Sequence, residues 1–483
     1  MMSTSTSSTT TARAARPAAI LAIVLVSYFM IVLDNSIVFT GLSRIRTELD
    51  FTTAGLSWVQ TAYALVFGGL LLLAARAGDL VGRRRLFLIG LAIFSLASLS
   101  IGLAPTAEWM IASRAVQGIG SAILAPTSLA LLTTTFVEGP ARTRAVAAYG
   151  STAGIGASLG LVVGGLLADI ASWRVGFLMN VPIGAALLSA TVVFVRETPR
   201  TGGRFDIAGA IASTLGMTAL VYGITRTSDA GWADPIALAF IAAGLVVLVG
   251  FAVIEWRTPQ PILPSRVLAD PARGGAFLAR MLFAGAIFGY FFFASQYMQQ
   301  ALGFSPLAAG LGFLPMTVVQ FALSLTVPRL TRRYGNSSLV VVGLAITLAG
   351  MIWISFVRPD SSYWTALALP MLLLGAGQGI GFAPLTAAGV TRIEPRDAGA
   401  AAGAVNVAHQ LGGALGVSIM VAVATAGITG TDPTAIAAEA STGLAAGAVL
   451  LALALAAALL LIVRWRNNET TPVPATSDTT ENR

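Results

Sequence analysis

The sequence predicts an all-α polytopic membrane protein with fourteen transmembrane helices, on the strength of its hydropathy, its arginine distribution and an internal repeat. The 483 residues are 56% hydrophobic and only 10% charged, with a mean hydropathy of +0.82, which excludes an ordinary soluble protein. Apolar stretches fall at about residues 17–41, 54–75, 86–104, 109–134, 145–169, 175–195, 207–225, 235–255, 275–301, 306–327, 338–357, 363–390, 398–428 and 441–463. Each is long enough to cross a hydrocarbon core of about 30 Å as a helix.

All twenty-nine basic residues are arginine. With the N-terminus inside, most of them fall on the cytoplasmic side, and the outside receives only Arg44, Arg46, Arg174, Arg226 and Arg358. By the positive-inside rule both termini are cytoplasmic. The repeat pairs the loop ARAGDLVGRRRLF at Ala75 with PRLTRRYG at Pro328, QGIG at Gln117 with QGIG at Gln378, and GASLG at Gly156 with GGALG at Gly412. Gly82 and Gly335, the two glutamines, and the two leading glycines lie 253, 261 and 256 residues apart. One six-span half therefore recurs, a build used by secondary transporters with a midplane substrate site. The expected organisation is a disordered cytoplasmic tail over 1–16, a six-helix bundle over 17–199, an inserted helix pair over 200–260, a second bundle over 261–465 and a disordered tail over 466–483.

Composition also removes functions. With no cysteine and one histidine, disulfides, thiol chemistry and Cys- or His-rich metal sites are excluded, so no cofactor or metal is expected. The lack of lysine removes the P-loop pattern and with it nucleotide-driven transport. The pI near 10.5 reflects cytoplasmic arginines rather than nucleic-acid binding, since no basic run is interleaved with aromatics. The first apolar run is too long for a signal-peptide core and is expected to be retained.

Within the first span, YFMIVLDNSIVFT from Tyr28 to Thr40 places Asp34 well inside an apolar segment, the only acid so placed. A carboxylate there is costly unless partnered, hydrated or protonated, and an acid that alternates between charged and neutral is what proton coupling requires. The competing reading is a polar residue that only holds helices together. His409, about 18 Å into span 13 by helical rise, is either a second protonation site or a neutral hydrogen-bonding residue.

LDNSIVFTGLS at Leu33, the loop Ala75–Arg84, SRAVQGIGSAILAP at Ser113, GIGASLGLVVGG at Gly154, SWRVGFLMNVPIG at Ser172, RFDIAGA at Arg204, YMQQALGFSPLAAGLGFLP at Tyr297 and RDAGAAAGAVNVAHQLGGALGV at Arg396 occur in that order. Together they resemble the major facilitator superfamily, and within it the fourteen-span drug:proton antiporters, over roughly Ala18 to Val463. The chain departs from that branch at Phe39 and Ser43, at Ala75 and Leu80, and at Leu161, where a proline is expected.

The resemblance implies a major facilitator fold of two six-helix pseudo-repeats plus two inserted helices. It implies a proton-coupling contact between Asp34 and Arg114, whose spans both face the central cavity, with His409 as a further candidate. Conformational gating is expected at Asp79, Gly82, Arg83 and Arg84 in the loop and at Gly160 and Gly164 in span 5, although a solvated loop and simple helix packing are the alternatives. Tyr28, Asn35, Gln117, Gln296, Gln299, Gln300, Gln320 and Asn406 are candidate cavity residues, and their amides serve equally well as interhelical hydrogen bonders. The expected function is alternating-access export of lipophilic drugs or antibiotics in exchange for protons by a monomer in the cell membrane. Its partners are the substrate, protons and the bilayer, without nucleic acid. The rivals are inward transport by the same fold and a non-transport membrane protein, and the lack of paired intramembrane carboxylates or a Ser–His constellation argues against an enzyme.

Overall fold

Backbone amides cannot be left unmet in hydrocarbon, so apolar stretches of this length resolve into helices. Every expected span is helical in the computed structural model, which describes residues 7–136, 139–197, 207–258, 265–393, 397–426, 430 and 432–463. In order they are span 1 Ser7–Glu48, span 2 Thr53–Val81, span 3 Arg83–Gly102, span 4 Ala107–Thr135, span 5 Pro140–Ile170, span 6 Trp173–Phe194, span 7 Ile207–Ala230, span 8 Pro235–Arg257, span 9 Pro271–Ala301, span 10 Pro306–Ser324, span 11 Asn336–Ile354, span 12 Trp364–Ala388, span 13 Ala398–Ala424 and span 14 Pro433–Val463. Among the described residues, thirteen of these are long and apolar enough to cross a membrane, and span 7 adds a further helix. The C-terminal tail expected over 466–483 lies outside the described residues, and the helix of span 1 starts at Ser7.

Start signals sit where a helix needs its first amides satisfied. Thr52 accepts from Gly55 N–H at 2.9 Å, Asp270 from Ala272 N–H at 2.8 Å and Ser305 from Ala308 N–H at 3.2 Å. Proline occupies the first turn of spans 5, 8, 9, 10 and 14, where its missing N–H costs nothing. Span 1 runs beyond the expected residue 41 to Glu48, because no breaker intervenes before Asp50, whose φ is +52°. Arg44, Arg46 and Glu48 therefore ride on the helix, at the end that the arginine distribution assigns outward. There Arg174 binds Glu48 at 2.7 Å and Trp173 Nε1 donates to Glu48 at 2.6 Å, tying spans 1 and 6.

The repeat seen in sequence is a repeat of helix crossings. Gly82 and Gly335 both take positive φ, +109° and +78°, at the turns into spans 3 and 11. In the first QGIG, Gly118 lies against the Tyr63 carbonyl of span 2 and Gly120 against the Phe94 backbone of span 3; in the second, Gly379 lies against the Gln320 carbonyl of span 10 and Gly381 against Gly343 of span 11. Span 5 lies on span 1 through Gly156, Gly160 and Gly164, and span 13 on span 9 through Gly412 and Gly416. At each crossing a side chain would hold the helices apart, which is why small residues recur at these positions.

Spans 7 and 8 pack on each other through Gly216, Gly223 and Gly244. Arg226 and Asp234 pair at 2.6 Å across the hairpin, and this bond holds the Asp234 carboxyl below the usual carboxylate range. Span 7 covers the line where span 2 meets span 13. Met217 and Val221 pack with Ala64, Leu65, Leu411 and Ala414, and Thr225 bonds Ser418 at 3.0 Å.

Candidate functional site

Span 1 delivers Asp34 into the interior of the first half, where it is 0% exposed. Its Oδ2 accepts from Arg114 Nη1 at 2.9 Å, and its Oδ1 accepts from Gln117 Nε2 at 2.9 Å and from Asn180 Nδ2 at 2.7 Å. Arg114 is also 0% exposed; its Nε donates to the Val59 carbonyl at 2.8 Å and its Nη1 to Gln117 Oε1 at 2.6 Å. The guanidinium lies 4.3 Å over the Tyr63 ring, and Ser98 takes further bonds from Gln117 at 2.8 Å and Asn180 at 3.3 Å. Spans 1, 2, 3, 4 and 6 thus meet at one carboxylate, while Nη2 of Arg114 and Oδ1 of Asn180 meet no protein partner. The carboxylate thus accepts from three donors, and breaking the Arg114 contact would remove the one cation among them.

Sequence reasoning brought Asp34 and Arg114 together; it placed Gln117 among the cavity candidates, whereas here it binds both members of the pair, and it missed Asn180, Ser98 and Tyr63. Asn180 carried a signal, an amide inside the quoted SWRVGFLMNVPIG, where the helix is interrupted between Leu178 and Asn180. Asn35, beside Asp34, accepts instead from Gln60 Nε2 at 2.6 Å.

The other candidates are spread through the molecule. Gln299 and Gln300 sit on the seam between the halves, at the end that the arginine distribution assigns outward, donating to the Thr40 carbonyl at 3.2 Å and accepting from Arg46 at 3.0 Å. Ser295 bonds the Phe39 carbonyl nearby, and Phe39 stacks on Phe291 with ring centroids 5.2 Å apart. Gly165 and Gly310 complete this seam, each against the backbone of the opposite half, so that a side chain at either would collide with it. Toward the opposite end of span 5 the contact with span 10 thins out: a Cβ at Gly154 would meet only Phe321 at 4.0 Å, and one at Gly150 would meet nothing within 4 Å. Gly160 and Gly164 instead face Leu33, Ser36, Ile37 and Thr40 of span 1. Gln296 is buried, Gln320 half-buried, and exposed Asn406 donates to its own helix at Ala402.

Between spans 2 and 3, Gly82 makes the positive-φ turn, Arg83 donates to the Ala130 carbonyl at 3.2 Å and Arg84 to the Val192 carbonyl at 2.9 Å. Glu197, not singled out from the sequence, caps span 3 by accepting from the Arg84 and Arg85 amides at 3.1 and 3.2 Å. This is a carboxylate at a helix N-terminus, where the dipole favours it. Asp79 lies in the last turn of span 2, and its side chain is outside the described residues.

Tyr28 stacks on Tyr149 of span 5 at 4.0 Å, and His409 faces Phe288 and Phe382 at 5.4 and 6.0 Å, with its Nδ1 unmet by protein. Arg280 of span 9, absent from the sequence-based candidates, is 4% exposed, with its guanidinium 3.7 Å from the Phe382 ring centroid.

A helical bundle with two pseudo-repeated halves, an acid–arginine pair buried in one of them and a seam between them closed at one end defines a polytopic secondary transporter. A profile of the Major Facilitator Superfamily matches residues 24–417, and the chain belongs to that family. It is 37% identical over 431 residues to the cephamycin export protein of Amycolatopsis lactamdurans, covering 88% of each chain. It is 36% identical to the puromycin resistance protein of Streptomyces alboniger, over 84% of this chain and 81% of that one. Among solved structures it resembles an inward-facing bacterial homolog of the human lysosomal transporter Spinster, with a TM-score of 0.69 and 15% identity over 95% of this chain and 99% of that one. That likeness concerns the fold alone.

Proposed function

We propose that the protein exports lipophilic drugs or antibiotics in exchange for protons, by alternating access, as a monomer with both termini in the cytoplasm. The observation that carries this reading is the Asp34–Arg114 pair, a 0%-exposed carboxylate held by one cation and two amides inside an apolar bundle. The export and resistance functions named for the relatives support the direction. In this reading Asp34 is ionised and bound to Arg114 in the present state. Separation of the pair in the alternate state lets the carboxylate take a proton from outside, and closure of Arg114 onto it releases that proton inward. The outer seam through Arg46, Gln300, Gly165 and Gly310 is the contact that opens to discharge substrate, while the loop around Gly82 and Glu197 steadies the inner ends of spans 2 and 3.

The test is accumulation in everted membrane vesicles under an imposed pH gradient, with a panel of lipophilic cations, neutral antibiotics and organic acids. Accumulation of at least one class that collapses with the gradient supports the proposal. Uptake by the vesicles that ignores the gradient, or transport only in the opposite direction, overturns it.

A further inference from the structure

We propose that Arg280 is the binding point for a carboxylate on the exported substrate, so that the protein selects amphipathic organic acids. The inference rests on the transport reading and adds the chemistry of its cargo. Arg280 is 4% exposed, yet its Nε and Nη1 find no hydrogen-bond acceptor, and no carboxylate among the described residues pairs with it. The one acid in the middle of a span is unavailable, because both oxygens of Asp34 are already held by Arg114, Gln117 and Asn180. The Phe382 ring 3.7 Å from the guanidinium carbon offsets only part of the cost of burying a charge.

The surroundings point to what would complete it. Tyr28 from the first half and His409 from span 13 both lie within electrostatic reach of Arg280, so the cation sits where the two halves face each other. From the span starts at Pro17, Pro271 and Ala400, helical rise puts Tyr28, Arg280 and His409 roughly 17, 14 and 14 Å along their helices, at a similar level of the membrane. His409 brings a second unmet polar atom, Nδ1. Around these groups lie four aromatic rings, Tyr28 stacked on Tyr149, and Phe288 and Phe382 each edge-to-face with His409. A guanidinium binds a carboxylate with charge and direction together, and aromatic surroundings suit an apolar group on the same molecule. Tyr28 and Asp34 are six residues apart on span 1, about 9 Å by helical rise. Tyr63 lies within electrostatic reach of both. Substrate and proton would thus occupy neighbouring, separate sites.

The experiment uses the purified full-length protein in detergent with no gradient, so its outcome does not depend on proton coupling. Binding of the cephamycin cefoxitin, an organic acid, is compared with binding of its neutral methyl ester and of the cation ethidium, in the parent, Arg280→Gln and Arg280→Lys. The parent is expected to bind the acid at least tenfold more tightly than the ester. Arg280→Gln should lose that preference with its ester affinity unchanged, and Arg280→Lys should keep part of it. Equal binding of acid and ester by the parent, binding of neither, or a preference that survives in Arg280→Gln overturns the proposal. Loss of acid and ester together in both variants also overturns it, since that is the behaviour of a residue that only supports the fold.

Discussion

Arg114 supplies the only charge among the three donors to Asp34, so removing it leaves a buried carboxylate with amides alone. Breaking a buried ion pair from one side costs about 3–5 kcal/mol. Arg114→Ala should therefore lower the unfolding free energy in detergent by about that much, and a variant as stable as the parent would mean that the pair makes no such contribution. His409 faces Phe288 and Phe382, and Arg280 lies over the same Phe382 ring. If it is a second protonation site, His409→Gln shifts the pH dependence of transport at normal expression, and an unchanged profile makes it a structural residue. At this scale the sequence revealed the charged centre and little around it. Asp34 stood out because an acid in hydrocarbon demands a reason. Asn180 and Ser98 did not, since amides and hydroxyls are cheap in a helix and their direction depends on helix rotation, which hydropathy does not record. Arg280 carries the same signal as Asp34, a charge within a span, but five residues from the expected start of its apolar stretch it reads as a span-end arginine.

Elements in this fold are positioned by glycine. A Cβ at Gly164 would sit 2.7 Å from Ile37 Cα, whereas one at Gly150, on the same helix, meets nothing within 4 Å. Gly164→Val should cost on the order of 1–3 kcal/mol of stability, the usual penalty of overpacking. Gly150→Ala should leave the unfolding midpoint unchanged, and equal effects of the two would refute the packing role. The loop between spans 2 and 3 is tested by Asp79→Asn, which is expected to leave folded protein in the membrane and to slow or abolish transport. Transport at the parent rate would make Asp79 a solvated loop residue. The repeat was legible because glycine spacing survives in sequence, and the structure gives the reason, since the repeated glycines mark the same turn and the same helix crossings in each half. Span ends were less legible. Span 1 runs to Glu48 because a helix can carry arginines past the hydrocarbon edge, so polarity alone does not stop it.

For the whole molecule, orientation and coupling are the two claims on which the rest depends. Ala233 is exposed on the hairpin between spans 7 and 8, and the chain has no cysteine of its own. Ala233→Cys should be labelled by an impermeant thiol reagent in intact cells, and labelling only after permeabilisation would reverse the topology. The central claim is that Asp34 couples a proton to export. Its most direct test reconstitutes the parent and Asp34→Asn in proteoliposomes and follows transport of a bound substrate under an imposed pH gradient. The account predicts gradient-driven transport by the parent and none by Asp34→Asn, with substrate binding retained. Full gradient-driven transport by Asp34→Asn would contradict it.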